Sequence, residues 1–337
     1  MNHMSGSAAL ELRREDLAPA VTVRRVRLAS SSVRDWEDFA GRCGASHHCA
    51  MGHIRFWRIF CRVELFEVFR SGDSWCSKIG QCAVAIGPRS RRFLDSLQLL
   101  PGHQDCWTGA MAAVLRALGP GTYRYGSTWS LERSRDQDLR DLAGVSIDHV
   151  ACLAVQAVDF ARWASWDQYL SAVSNNARRN AKKAAQCHPD IVLTIHEGLD
   201  MLGKVQLLTR LRGAMCRRKK LRFNMPRQWM RAFLRALIWR RQAFIATVGV
   251  CGQTLAMFSG IHFGGNTYYL EGAAPADNEG ASWYLMLAML RQSHEQNPEG
   301  RFVMGVADPD ANLSRSRDQC RVSEHPASVI AFRYGRG

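Results

Sequence analysis

Four basic residues lie within six positions of one short segment. The segment SNNARRNAKKAAQ contains Arg178, Arg179, Lys182 and Lys183. Like charges three or four residues apart on a helix repel and destabilise it by roughly 0.2–0.5 kcal/mol per pair. The pattern therefore indicates either that an anion binds among these side chains or that they form a solvated basic face.

A second basic group follows in the segment RRKKLRFNMP. Its cations are Arg217, Arg218, Lys219, Lys220 and Arg222. Residues 178–241 carry 17 Lys/Arg and three Asp/Glu, a net charge of +14, whereas the whole chain has +15. Residues 1–150 carry 20 Lys/Arg and 16 Asp/Glu, a net charge of only +4. The charge is regional and favours a polyanionic partner such as RNA or a nucleotide.

Several polar side chains are candidates for proton transfer. Glu271 follows a stretch, residues 242–270, that has no Lys, Arg, Asp or Glu. We expect Glu271 to accept a proton or anchor an amine; the alternative is an ion pair with an arginine of the basic helices. Asp308 comes where the strand pattern FVMGV ends, and a turn before Pro309 is its alternative. Ser259 lies on the middle strand of residues 242–275, near a histidine that we expect to be a core residue.

The segment CGASHHCAMGH has the residue types of a zinc site but the spacing of no common one. We therefore predict no metal. The eleven cysteines include no C-x-x-C pair, which favours reduced thiols and a cytoplasmic location. The first 16 residues lack the apolar core of a signal peptide.

The hydropathy pattern predicts mixed α and β structure. Breaks at VCGQ and FGGN divide residues 242–275 into three strands, so we expect no membrane insertion. Helices are predicted over 201–218 and 227–241, and another is capped by Asn278. Ser165 and Gln168 form a capping box that begins a helix whose apolar stripe continues to Ala181. The first four cations would lie in the C-terminal half of that helix and complement its dipole.

A chain of 337 residues is long enough for two domains. A composition shift near residues 140–150 is the candidate boundary. We predict a flexible leader over residues 1–20, an N-terminal domain over 21–150 and a C-terminal domain over 151–337. The second domain would have the order β-α-β-α-α-β-β-β-α-β.

Four motifs in that order resemble the GCN5-related N-acetyltransferase (GNAT) fold, and in particular the FemABX and CelD-like acyltransferases. They are W-x-x-Y-L-S-x-V-S-x-N-x-R-R-N-x-K-K-A from Trp166, V-x-G-Q-x-L-A from Val250, Y-Y-L-E-G from Tyr268, and F-x-x-G-x-x-D from Phe302. The resemblance implies an α+β fold of tandem GNAT-like domains, with mixed sheets flanked by helices and a degenerate first domain. The chain departs from the family at ANLSRSRDQCRVSEHP, where a lysine and an aromatic-Gly segment are usual.

The resemblance also implies transfer of an acyl or aminoacyl group to an amine of a small molecule or peptide by direct attack, with no tightly bound cofactor. It places Glu271, Tyr269, Ser259 and Asp308 at the catalytic centre. The predicted donor-binding residues are Asn278, Gly280, Ala281 and Ser282 at a helix N-terminus, together with Arg178, Arg179, Lys182 and Lys183.

The net charge favours aminoacyl-tRNA as the donor, because neutralisation of phosphates supplies affinity that does not depend on the RNA sequence. The residues predicted to contact the RNA are Arg217, Arg218, Lys219, Lys220 and Arg222. Acyl-coenzyme A, which needs only a few cations, is the first alternative. A non-catalytic RNA-binding module is the second, and the altered tail favours it. The sequence does not indicate which oligomeric state the protein adopts.

Overall fold

The computed structural model describes residues 21–27, 32–71, 76–307 and 311–335. The predicted leader over residues 1–20 lies outside these ranges. The strands are β1 (Val21–Val26), β2 (Arg62–Ser71), β3 (Cys76–Ile86), β4 (Arg91–Phe93), β5 (Gln98–Leu99), β6 (Gly121–Tyr125), β7 (Val145–Asp159), β8 (Val192–Glu197), β9 (Ala243–Val250), β10 (Gln253–Phe263), β11 (Asn266–Ala273), β12 (Arg301–Val306) and β13 (Ser323–Tyr334). The helices are α1 (Val33–Arg42), α2 (Met51–Phe60), α3 (Trp107–Leu118), α4 (Asp136–Arg140), α5 (Trp166–Ala172), α6 (Asn175–Cys187), α7 (Gly198–Arg218), α8 (Met225–Ile238), α9 (Ala281–Gln296) and α10 (Ala311–Asp318).

Two repeats of one element order build a single mixed sheet. β1-α1-α2-β2-β3-β4-α3-β6-α4-β7 has the same order as β8-α7-α8-β9-β10-β11-α9-β12-α10-β13, apart from the short β5. The sheet order is β1-β2-β3-β4-β6-β13-β7-β12-β11-β10-β9-β8, with β5 beside β3. The tandem arrangement predicted from the resemblance is therefore confirmed. In the first repeat β4 spans only three residues.

Each repeat contributes its last strand to the sheet of the other. β7 pairs with β12 of the second repeat, and β13 pairs with β6 of the first. β7 and β13 also pair with each other from Val145–Tyr334 to Ala157–Ser323. The predicted boundary at residue 150 falls inside β7, so a cut there would divide the strand that joins the two repeats.

The three-strand meander of the second repeat follows from its turns. Cys251 and Gly252 have φ of 48° and 82°, and Gly264 and Gly265 have φ of 58° and 75°. Two-residue loops with positive φ at both positions match the right-handed twist of a hairpin. The glycines that predicted these breaks therefore close β9 on β10 and β10 on β11, and the predicted strands are confirmed.

Three predicted helix features are wrong. The helix that begins at Ser165 ends at Ala172, because Ser174 starts a new helix by accepting a hydrogen bond from the Ala177 amide. The last turn of α6 has no basic residue, so the four cations do not complement its C-terminal dipole. The N-cap of α9 is Gly280, with φ of 90°, and not Asn278. The predicted order also stopped before α10 and β13.

Helices cover both faces of the second repeat. α9 packs with α6 over one face, in a core that includes Phe258 and Leu285. α7 and α8 cover the other face, and their core also takes in residues of α1 and of the segment before α2. The Trp239 indole donates to the His47 carbonyl at 2.9 Å across this junction. In the ranges the structure covers, none of the helices has the length and apolar composition needed to cross a bilayer.

Histidines of the CGASHHCAMGH segment lie in the shared core. The His47 ring is buried and lies 4.6 Å from the Tyr268 ring, centroid to centroid. His53 Nδ1 is 2.8 Å from the His48 carbonyl, and the Trp57 indole donates to His53 Nε2 at 2.8 Å. His53 is therefore neutral with its proton on Nδ1. No cluster of three or more His, Cys, Asp or Glu side chains suited to a metal ion occurs in the described ranges.

The crossing of α2 and α8 depends on Gly52, where a Cβ atom would overlap the Ile238 carbonyl oxygen. Gly52→Ala is expected to force the helices apart and lower the free energy of unfolding by about 1–3 kcal/mol. Gly203→Ala is the matched control, because Gly203 is exposed within α7 and has open space beside it. The control should stabilise the protein by about 0.5–1 kcal/mol. Urea unfolding measures the change in the free energy of unfolding for both variants. Equal changes would contradict a close contact between α2 and α8 at Gly52.

The buried histidines predict acid sensitivity. Burial lowers the pKa of His53 from 6.5 to about 4, and it also holds the pKa values of His47 and His48 well below the ordinary range. At low pH the unfolded chain binds protons on these histidines that the folded chain does not bind. Above pH 6.5 they therefore do not lower the free energy of unfolding, and this free energy decreases as the pH falls toward 4. His53 alone accounts for a loss on the order of 3 kcal/mol at pH 4. His53→Gln should flatten the pH dependence measured by urea unfolding, whereas His149→Gln, at an exposed site, should not.

Candidate active site

The sheet opens between β11 and β12. These parallel strands have only two registered pairs, Thr267–Phe302 and Tyr268–Val303. A bulge between β10 and β11 adds Leu270 two residues beyond the last pair, and a bulge between β12 and β7 adds Met304 one residue beyond it. Bulges bend the strand that carries them. The two strands therefore diverge beyond Tyr268 and Val303.

A cleft of about 390 Å³ occupies this opening. Its walls come from the ends of α7 and β11, the middle of β10, the first turns of α9, Met304 of β12, and α10 with the turn that follows it. Apolar and aromatic side chains dominate, among them Phe258, Tyr269, Trp283 and Met286. An apolar cleft with a few polar groups is the usual form of a small-molecule site.

Among the residues that the structure describes, three cations line the cleft: Arg218, Lys219 and Arg317. Arg218 donates to the Ala274 carbonyl at 3.2 Å. Arg317 donates to the Val306 carbonyl at 2.6 Å and to Gln156 Oε1 at 3.0 Å, so β7 and β12 hold it in place. Sequence reasoning included the first two among the predicted RNA contacts but missed Arg317. The sequence around Arg317 has no periodic pattern of apolar residues that would have predicted α10.

The predicted donor loop is divided by the structure. Asn278 and Ser282 line the cleft. Gly280 instead packs against the Asn180 backbone of α6, and Ala281 is fully buried. The Ala281 amide already donates to the Asn278 carbonyl at 2.7 Å. The small residues at positions 280 and 281 therefore allow α9 to pack closely against α6, and their role in donor binding stays a prediction.

The basic group of α6 lies away from the cleft. Arg179, Lys182 and Lys183 are exposed, Arg178 is half-buried, and none of the four lines the cleft. α6 packs through alanines on its opposite face, of which Ala177 and Ala184 are fully buried. In the described residues these cations thus form a basic outer face. The five cations of residues 217–222 are all exposed, and two of them reach the mouth of the cleft.

Glu271 lies on the opposite face of β11 from the cleft. Arg235 of α8 donates to one of its carboxylate oxygens at 2.7 Å, and Arg212 of α7 pairs with the other. The carboxylate is 9% exposed. The alternative from the sequence, an ion pair with the basic helices, thus describes its contacts, while its role in proton transfer stays a prediction.

The other predicted catalytic residues differ in position. Tyr269 lines the cleft, and burial raises the pKa of its phenol despite nearby Arg212 and Arg317. The phenol is therefore protonated at neutral pH and able to donate a hydrogen bond. Ser259 is opposite Glu271 in the β10–β11 register and lies with it beside Arg235, outside the cleft. Asp308 lies outside the described residues.

Comparison with known proteins agrees with this geometry. Residues 171–310 match the family model described as an acetyltransferase (GNAT) domain. This part of the chain is therefore similar to GNAT-type acetyltransferase domains. No curated protein sequence matches the chain significantly.

Solved structures show the same fold over nearly the whole chain. FemX is similar at 8% identity and a TM-score of 0.68, over 91% of this chain and 96% of FemX. A conserved protein of unknown function from Bacteroides thetaiotaomicron VPI-5482 is similar at 10% identity and a TM-score of 0.57, over 93% of this chain and 100% of that protein. The C-terminal domain of a protein named as a lysylphosphatidylglycerol synthetase from Agrobacterium fabrum is similar at 11% identity and a TM-score of 0.54. The similarity covers 89% of this chain and 91% of that domain. The predicted resemblance to the FemABX fold is confirmed.

Removal of the Glu271 charge is expected to destabilise the folded protein. Glu271→Gln leaves Arg212 and Arg235 partly buried beside each other without their carboxylate, so the free energy of unfolding should fall by about 2–3 kcal/mol. Glu295→Gln is the matched control, because the pair of Glu295 with Arg291 is exposed on α9 and contributes about 0.5 kcal/mol or less. Urea unfolding measures both. Equal stability of the two variants would show that the buried network does not support the fold.

Proposed function

We propose that the protein is an N-acyltransferase that binds its acyl donor in the cleft between β11 and β12. The observation that supports this is the divergence of the two strands directly beyond the Tyr268–Val303 pair. Strand amides that lose their neighbour become free to bind a ligand, since each backbone N–H needs a partner. The first turns of α9 and the apolar residues of β10 and β11 line the same cleft.

The proposed reaction needs no covalent intermediate on the protein. The acceptor nitrogen attacks the donor carbonyl carbon, and the bond from that carbon to the carrier's sulfur breaks as the amide forms. A β11 amide stabilises the oxyanion. The Tyr269 phenol donates a proton to the departing thiolate. The attacking amine loses its proton to water at the open side of the cleft, and the phenolate takes a proton back from this water, which restores the phenol.

Acyl-coenzyme A is the donor that the cleft supports best. Its mouth carries Arg218, Lys219 and Arg317, which suits the few phosphates of coenzyme A. Charge-assisted hydrogen bonds from arginine to phosphate are among the strongest that a protein makes. The larger basic surface of residues 178–241 is not required for such a donor.

Aminoacyl-tRNA is the second candidate, and a specific observation favours it. All five cations of residues 217–222 are exposed, and they continue from the mouth of the cleft onto the outer surface. A basic surface beside a reaction site is the arrangement that tracks an RNA backbone. In that case the cleft holds the terminal aminoacyl group and the loop holds the phosphates behind it.

Two double variants that remove equal charge separate the donors. Arg218→Gln with Lys219→Gln should weaken coenzyme A binding about tenfold or more, measured by calorimetry. Lys182→Gln with Lys183→Gln, on α6, should leave it unchanged. Bulk tRNA binding is measured at two salt concentrations in parallel. Steeply salt-dependent tRNA binding without coenzyme A binding would exclude coenzyme A as the carrier and favour aminoacyl-tRNA, and failure of both ligands would contradict the proposed function.

A further inference from the structure

The chemistry of the cleft wall limits the acyl group that it can hold. Phe258, Tyr269, Trp283, Met286 and Met304 contribute to the wall, and no Asp or Glu is among the described side chains that line it. Phe258 and Met304 belong to the same apolar core as the inner face of α9. The hydrophobic core therefore continues to the surface of the cleft.

A charged acyl group would be poorly matched to this wall. The ammonium of an aminoacyl group would lose hydration and would find no carboxylate among the described side chains of the wall, and burial of an unpaired charge is strongly unfavourable. It would also approach Arg218, Lys219 and Arg317, which carry the same sign of charge. A terminal carboxylate would compete with the donor's phosphates for those three side chains.

The cleft is large enough for an acyl chain together with the adjoining part of its carrier. An apolar cavity of about 150 Å³ is sufficient for a benzene ring, whereas this cleft has about 390 Å³. Met215, Met286 and Met304 lie in its wall. Methionine side chains are flexible and polarizable and adapt to irregular apolar ligands.

We propose that the transferred acyl group is uncharged, apolar and longer than acetyl. This inference rests on the proposed function, in which the cleft binds an acyl thioester. The acyl chain lies along the wall formed by β10, α9 and Met304, while the phosphates of the carrier remain at the mouth.

The test is calorimetric binding of coenzyme A and of acetyl-, butanoyl-, hexanoyl- and octanoyl-coenzyme A to the full chain. We expect affinity to rise about fourfold for each added methylene group until the cleft is filled. Succinyl- and 4-aminobutanoyl-coenzyme A add one charge to a chain of the same length as butanoyl. Each should bind at least about tenfold more weakly than butanoyl-coenzyme A.

A carboxylate placed in the wall should reverse the preference. Met286→Asp is expected to abolish the gain with chain length and to favour 4-aminobutanoyl- over butanoyl-coenzyme A. Met230→Asp is the control, because Met230 is 48% exposed on α8 and lies outside the cleft. The wild-type series remains decisive if Met286→Asp fails to fold.

The outcomes separate this inference from the proposed function. Coenzyme A binding with equal affinity for all chain lengths would overturn the inference alone. Tighter binding of succinyl- or 4-aminobutanoyl-coenzyme A would also overturn it, because the wall would then select charge. Absence of binding by coenzyme A and by every thioester would overturn the thioester donor and the inference together.

Discussion

The pairing of β7 with β12 is the contact on which the candidate site depends. β12 has only two registered pairs with β11, so its other neighbour, β7, must hold it in the sheet. β7 comes from the first repeat and is itself held by β13 over almost its whole length. One wall of the cleft is therefore carried by a strand of the other repeat. The first repeat, although its β4 is short, is thus required for the geometry of the second.

The two bulges that flank the opening convert this exchange of strands into a cleft. The extra residue on β11 is Leu270 and the extra residue on β12 is Met304, both just beyond the last shared pair. Gly305 has φ of 89°, a conformation that favours glycine and lets the strand bend at that point. Bending on both sides moves the strands apart without loss of their outer hydrogen bonds. The polar edge exposed in this way is the feature that a ligand can use.

The parts of the fold that follow from local sequence patterns could be predicted from the sequence, and the parts that depend on distant pairings could not. The glycines in VCGQ and FGGN predicted the turns of the meander, and the uncharged stretch before Glu271 predicted its buried strands. Ser174 was missed because the apolar stripe continues across it, and only its cap of the Ala177 amide reveals the new helix. Charge counts could not show that the α6 cations point outward. The exchanged strands, and Arg317 with them, depend on pairings between residues more than 140 positions apart, which no local pattern contains.

The position of Glu271 constrains how a proton can leave the site. Both carboxylate oxygens are engaged by arginines of α7 and α8, on the face of the sheet opposite the cleft. To accept a proton the carboxylate would have to give up an ion pair and leave Arg235, which is 16% exposed, without its partner. Burial already lowers the pKa of Arg235 to about 10, so loss of the carboxylate would leave a poorly solvated charge. In the proposed reaction, release of the amine's proton to solvent at the mouth of the cleft leaves this network intact. The two ion pairs of Glu271 hold β11 against α7 and α8, and its role in proton transfer stays a prediction.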